Sequence, residues 1–115
     1  MIKLNESIHV PSTLEAAFTY TSDFSHIKDW DPGVAVSKKI SNGGTQVGSA
    51  YDLILRFGPF RPQMQYTITA YIPFSEVILE GRGDAFRAID TIRFFKTPTG
   101  TRIDYEAQLF FSGVS

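Results

Sequence analysis

At 115 residues the chain is the size of one domain, and 43% apolar with 20% charged residues is ordinary soluble usage. Eleven basic against twelve acidic side chains, with no basic cluster beyond Lys38-Lys39, give nucleic acid or an anionic membrane no electrostatic footing. The lack of cysteine excludes disulfides, thiol catalysis and cysteine-based metal sites. No apolar run reaches the length of a membrane span and the N-terminus shows no signal-peptide core, so the cytoplasm is the expected compartment.

Ile2, Leu4, Ile8 and Val10 alternate with polar residues and predict a strand over 2–10, with Glu6 as the one charge on the apolar face. Pro11-Ser12 stops it. Ser12 and Glu15 match a capping box, and Leu14, Ala17 and Phe18 at helical spacing predict a short helix over 13–20. Ser22 or Asp23 can cap a second helix that buries Phe24 and Ile27, ended by Pro32-Gly33.

Beyond Pro32 the period changes to two. Val34, Val36 and Ile40 form one strand face, and Asn42-Gly43-Gly44 carries a hairpin-turn signal. Tyr51, Leu53, Leu55 and Phe57 share the next face, and Met64, Tyr66, Ile68, Ala70 and Ile72 the one after. Val77 and Leu79 lead to a turn at Gly81 to Asp84. Phe86, Ala88, Ile92 and Phe94 alternate with Asp90 among them, and Ile103, Tyr105, Ala107, Leu109 and Phe111 close the chain. Strands joined by short turns pair antiparallel. The expected fold is α+β: a curved antiparallel sheet of six or seven strands, with two short helices between the first and second.

Parity supplies the candidate site. Tyr51, Leu55, Tyr66, Phe86, Phe94 and Tyr105 are predicted to face one concave side, where the tyrosine hydroxyls give an apolar cavity a few polar contacts. Asp90 is the one ionisable group on such a face. If buried it can act as a general acid or base, with Tyr105 as a second candidate; the alternative is a bulge or an arginine partner that turns it outward. Trp30 is placed under the helix pair or at the cavity rim. Arg61, in the Pro-flanked loop, can meet an acidic ligand at the mouth or lie in solvent. In the stretch DFSHIKDWDPGV, His26 and Asp29 sit three apart and Asp23 or Asp31 can add a ligand, but the spacing matches no metal motif and local capping is the expectation. No metal or cofactor is expected.

The stretches IHVPSTLEAAFTYTSDFSHIKDWDPGV, VGSAYDLIL, YTITAYIPFSEVILEGRG and GTRIDYEAQL together resemble the START-like, helix-grip (SRPBCC) superfamily, in its polyketide cyclase/dehydrase-like branch. The resemblance implies a seven-stranded sheet wrapped around a long C-terminal helix, with a deep apolar cavity. This sequence reaches Phe110-Phe111-Ser112-Gly113-Val114-Ser115 where that helix would start, so a single domain incomplete at its C-terminus is expected. The function implied is binding of a hydrophobic or aromatic small molecule, lipid- or polyketide-like. The alternatives are a cyclase or dehydratase that moves a proton through Asp90 or a tyrosine, and an interaction module using the open apolar face. That uncovered face also leads to the expectation of a homodimer.

Overall fold

The structure, a computed structural model, describes residues 1–111. The chain runs through β1 (Ile2–Val10), helix α1 (Leu14–Ser22), a 3-10 helix (Phe24–Asp29), β2 (Val34–Lys39), β3 (Ala50–Leu55), β4 (Gln63–Ile72), β5 (Glu76–Arg82), β6 (Phe86–Thr97) and β7 (Gly100–Phe111). All seven strands form one antiparallel sheet in the order β1-β7-β6-β5-β4-β3-β2. The first two strands are therefore its opposite edges. The two helices carry the chain from one edge to the other, and five successive antiparallel pairings bring it back until β7 lies beside β1. The expected α+β architecture is present, with seven strands.

The sheet curls because its inner face closes on side chains delivered by the helices. Phe18 of α1 lies edge-on to Tyr71, Phe74 and Phe94, with ring centroids at 5.3, 5.6 and 4.9 Å. Phe24 of the 3-10 helix packs against Tyr51 and Tyr66 at 6.1 and 5.2 Å. Aromatic pairs in such arrangements contribute about 0.5–1.5 kcal/mol each beyond their area burial. Ile27, Leu53, Ile68, Val77, Leu79 and Ile92 complete the core. Ser37 ties β2 to the 3-10 helix, its hydroxyl donating to the Ser25 carbonyl at 2.7 Å.

Several local expectations are corrected. The α1 cap is Thr13, whose hydroxyl accepts from the Ala16 amide at 3.2 Å, so Ser12 and Glu15 do not form the capping box. Asp23 caps the second helix, as one of the two readings had it, accepting from the Ser25 amide. A bulge between Val34 and Val36 moves the phase of β2: Val34 and Ser37 point inward, while Val36 and Ile40 are exposed. A second bulge, between Ile68 and Ala70, lets Tyr71 take the inward place that alternation had given to Ala70, and turns Ile72 out to solvent. Each bulge inserts one residue into the two-residue period, which a parity count alone does not register. The connection after β2 runs from Ile40 to Ser49, longer than a tight hairpin at Asn42-Gly43-Gly44. β3 ends at Leu55, so Phe57 belongs to the following loop, where its ring meets Phe86 at 5.3 Å. The expectation about the C-terminal end falls on residues 112–115, outside the described residues.

Gly81 is also a strand residue, paired with Tyr66 and Ala88, where a turn had been expected to begin. Its lack of a side chain has a specific use: a Cβ there would stand 2.7 Å from Cε2 and Cζ of Tyr66. The Tyr66 ring lies flat over this backbone, which keeps it inside the sheet. Gly81→Ala is expected to lower stability by about 1–3 kcal/mol, the usual penalty of overpacking. Urea denaturation measures it, and a loss below about 0.5 kcal/mol would mean that Tyr66 shifts aside freely.

Candidate functional site

The helices cover the middle of the inner face and leave its β1–β7 end open. A hollow of about 400 Å³ remains there, within the usual size range of small-molecule sites. Leu4, Ile8 and Val10 from β1 and Ile103 from β7 form its apolar wall. Tyr20, Trp30 and Tyr105 add aromatic surface, and Glu6 and Asp31 are the two carboxylates in the lining.

Tyr105 links this hollow to a buried acid. Its hydroxyl donates to Asp90 Oδ2 at 2.6 Å, while the other carboxyl oxygen, Oδ1, is buried without a partner. Asp90 is 2% exposed, sits opposite Ala107 in an unbroken β6–β7 ladder, and has no arginine beside it in the ladder. The bulge that could have turned it outward is absent from β6. Burial pushes its carboxyl up to about 7; the Tyr105 hydrogen bond pulls the other way, and the negative charge of Asp31 adds to the rise. Burial and then the Asp90 charge hold the Tyr105 phenol well above its ordinary value. Tyr66 is raised by the same two causes and by Asp31. The arrangement is a carboxyl able to gain or lose a proton near neutral pH, one hydrogen bond behind the cavity wall. Trp30 stands edge-on to Tyr105, centroids 5.3 Å apart, with its buried Nε1–H unpartnered.

The other expected site residues lie elsewhere. Tyr51, Tyr66, Phe86 and Phe94 do point inward but do not line the hollow: Tyr51, Tyr66 and Phe94 are closed into the core under Phe24 and Phe18, and Phe86 packs against Phe57 and Phe111. Leu55 packs at the edge of that core. The Tyr51 hydroxyl, raised by burial and then by the charge of Asp23, lies near Thr45 and Ser49 without a well-aligned bond. Arg61 is the clear correction. It is exposed, and its guanidinium donates to the carbonyls of Gly58 and Phe60 in its own loop, at 2.9 and 2.8 Å, away from the hollow.

The acidic stretch around Trp30 is used up in local structure. Asp23 Oδ1 accepts from the amide and hydroxyl of Ser25, at 3.1 and 2.8 Å. Tyr20 donates to Asp29 Oδ2 at 3.0 Å, and His26 Nδ1–H donates to the Tyr20 carbonyl at 2.7 Å, its ring stacked on Tyr20. Asp31 Oδ1 accepts from the Gly33 amide at 2.8 Å. Among the described residues no group of three possible metal ligands gathers anywhere. Sequence reasoning missed Tyr20, Asp31 and Glu6 as cavity residues. Only Glu6 carried a signal, as the break in the apolar stripe of β1.

The family model described as polyketide cyclase / dehydrase and lipid transport matches residues 1–115. The chain belongs to this family. Solved structures agree on the fold the family implies. A START superfamily protein from Mycobacterium smegmatis superposes with a TM-score of 0.76 at 12% identity, over 96% of this chain and 77% of that one. A protein from Thermus thermophilus gives 0.80 at 12% identity, over 96% and 75%. A Streptomyces aromatase/cyclase gives 0.78 at 9% identity, over 99% and 70%. At such identities the likeness is one of fold: a START-like, helix-grip α+β sheet. No curated protein matches the chain. No helix among the described residues is long and apolar enough to cross a membrane.

The burial of Asp90 gives the stability of this chain a pH dependence. Because the folded protein holds the Asp90 proton more tightly than the unfolded chain does, that stabilisation is full below the unfolded value of about 4. It is lost as pH rises through about 7. Asp90→Asn removes the titration. The stability of the parent relative to Asp90→Asn is therefore expected to fall by a few kcal/mol, at most about 1.4 kcal/mol per pH unit, between about pH 4 and pH 7. Urea denaturation of both proteins across this range checks it, and a constant difference would remove Asp90 as the titrating group.

Proposed function

We propose that the protein binds a hydrophobic or aromatic small molecule, lipid- or polyketide-like, in the hollow between β1, β7 and the helices. Family and fold are those of ligand-binding or polyketide cyclase/dehydrase-type START domains. The observation that carries the reading is the composition of the hollow: a mostly apolar wall with a few polar groups, the make-up of a small-molecule site. Trp30 and Tyr105 are the direct contacts in this proposal. Tyr51, Leu55, Tyr66, Phe86 and Phe94 support them from the packed layer beneath, and Arg61 has no part.

Leu4 and Ile8 are 52% and 43% exposed on β1, so they can be changed with little effect on folding. Leu4→Glu and Ile8→Glu are expected to weaken binding of the neutral fluorescent probe N-phenylnaphthylamine about ten-fold, the equivalent of roughly 1.4 kcal/mol of lost apolar contact. If the parent does not bind the probe, the reading fails. Native mass spectrometry of freshly purified protein adds a direct test, with a co-purified small molecule as the expected result. The same spectrum tests the homodimer, which we propose as the cover for the exposed β1 side chains in the absence of ligand; a monomer without ligand at low micromolar concentration withdraws it.

The Asp90–Tyr105 bond favours a second reading, cyclase or dehydratase chemistry. In it the Asp90 carboxylate receives a proton from an enolisable carbon through the Tyr105 hydroxyl and returns it to the departing oxygen. Asp90→Asn is then expected to abolish turnover of polyketide mimics while N-phenylnaphthylamine binding persists. Absence of turnover in the parent leaves the binding reading alone.

A further inference from the structure

The charge of the hollow narrows the class of ligand. Glu6 and Asp31 are its only ionisable side chains apart from tyrosines, and no lysine or arginine lines it. On the neighbouring strands, three of the basic residues are paired on the outer face: Lys3 with Glu106, Arg93 with Glu76 and Arg102 with Asp104. Glu6 interrupts the apolar stripe between Leu4 and Ile8. In the β1–β7 ladder it stands directly opposite Tyr105, which places the two Cβ atoms about 4.5–5.5 Å apart. Among the described residues Glu6 has no ion-pair partner. Behind Tyr105 lies the third carboxyl, Asp90, 2% exposed and with Oδ1 unsatisfied. The aromatic surfaces of Tyr20, Trp30 and Tyr105 share the same wall, and aromatic faces attract cations.

An anionic amphiphile such as a fatty acid would bring its carboxylate against Glu6 and Asp31 with no counter-charge to meet it. A cation meets two carboxylates and three rings. We infer that the ligand is a hydrophobic amine, its ammonium group held between Glu6 and Asp31 and its aromatic or alkyl body laid against Trp30, Tyr105 and Ile103. The inference rests on the binding reading above and deepens it by fixing the sign of the ligand's charge.

Three probes of one shape separate the cases: naphthylethylamine, naphthylethanol and naphthylacetate, each displacing N-phenylnaphthylamine. The amine is expected to bind about ten-fold more tightly than the alcohol, and the acetate more weakly than either, given the usual strength of partly exposed ion pairs and cation–π contacts. Added salt should weaken the amine and strengthen the acetate. Glu6→Gln and Asp31→Asn, the latter retaining its acceptor for the Gly33 amide, are expected to narrow the amine-to-alcohol ratio to about three-fold or less, as an electrostatic contribution requires. If the alcohol or the acetate binds as tightly as the amine, the inference falls while the binding reading stands. If N-phenylnaphthylamine itself does not bind, both fall. An amine preference that survives both substitutions would also overturn the assignment to these carboxylates.

Discussion

A single sheet has an inner face with nothing across from it, and what covers that face decides the rest of this molecule. Here the cover is slight: two short helices with two deeply buried aromatic rings. Phe18 is 1% exposed and Phe24 is fully buried, each closing over one part of the β3–β6 surface. Burying such a ring is worth roughly 1.5–3 kcal/mol, and the aromatic contacts add to it. The helices can deliver these rings only because β1 and β2 are opposite edges, so the connection has to cross the concave side. The same crossing leaves the β1–β7 end uncovered, and the hollow is that remainder.

Asp90 works against this arrangement. A carboxyl on the inner face of β6 occupies a place where an apolar residue would pack without penalty, and a buried charge lacking a partner is strongly disfavoured. One hydrogen bond from Tyr105 offsets part of this, and a raised proton affinity offsets more by keeping the group neutral over a wider pH range. Oδ1 stays unsatisfied. Departures from local consistency tend to collect at functional sites, and this one lies one hydrogen bond from a strongly apolar hollow. Stability and site chemistry thus bear on the same residue with opposite signs.

How far the sequence can be read depends on whether its period is interrupted. In β6 the alternation from Phe86 to Phe94 is unbroken, so parity alone puts Asp90 on the inner face, and the same alternation in β7 does so for Tyr105. In β2 and β4 one inserted residue reverses the phase, so Ser37 and Tyr71 take inward places that counting denies them. No residue type marks either bulge. Gly81 reads as a turn because glycine is the usual turn residue, whereas its function is to let the Tyr66 ring lie on bare backbone, a contact between strands that no single segment contains. The hollow is harder still. Its wall joins Glu6, Tyr20, Trp30 and Tyr105 from four separate stretches of chain, and parity states which face a side chain occupies but not what lies across from it. Arg61 shows the opposite error: a chemically plausible residue in a plausible loop, held by the carbonyls of that loop.

The exposed apolar surface of β1 then has two consequences that share one cause. Leu4 and Ile8, about half exposed, forgo part of the transfer free energy that a covered strand would gain, so β1 is held mainly by its ladder to β7. A molecule that fills the hollow recovers that free energy, and by linkage whatever binds only the folded state stabilises it, by about 2.7 kcal/mol at a hundred times its dissociation constant. That is of the order of what one well-buried aromatic side chain supplies. A ligand bound there would stand, energetically, as a missing core residue at the open end of the sheet. The acidic residues around it differ from an ordinary core in one respect that follows from the same geometry: Glu6, on an edge strand, is exposed to water, whereas Asp90, one strand further in than β7, is buried. The gradient from wet carboxylate to dry carboxyl runs through Tyr105, and any molecule entering the hollow has to be accommodated along it.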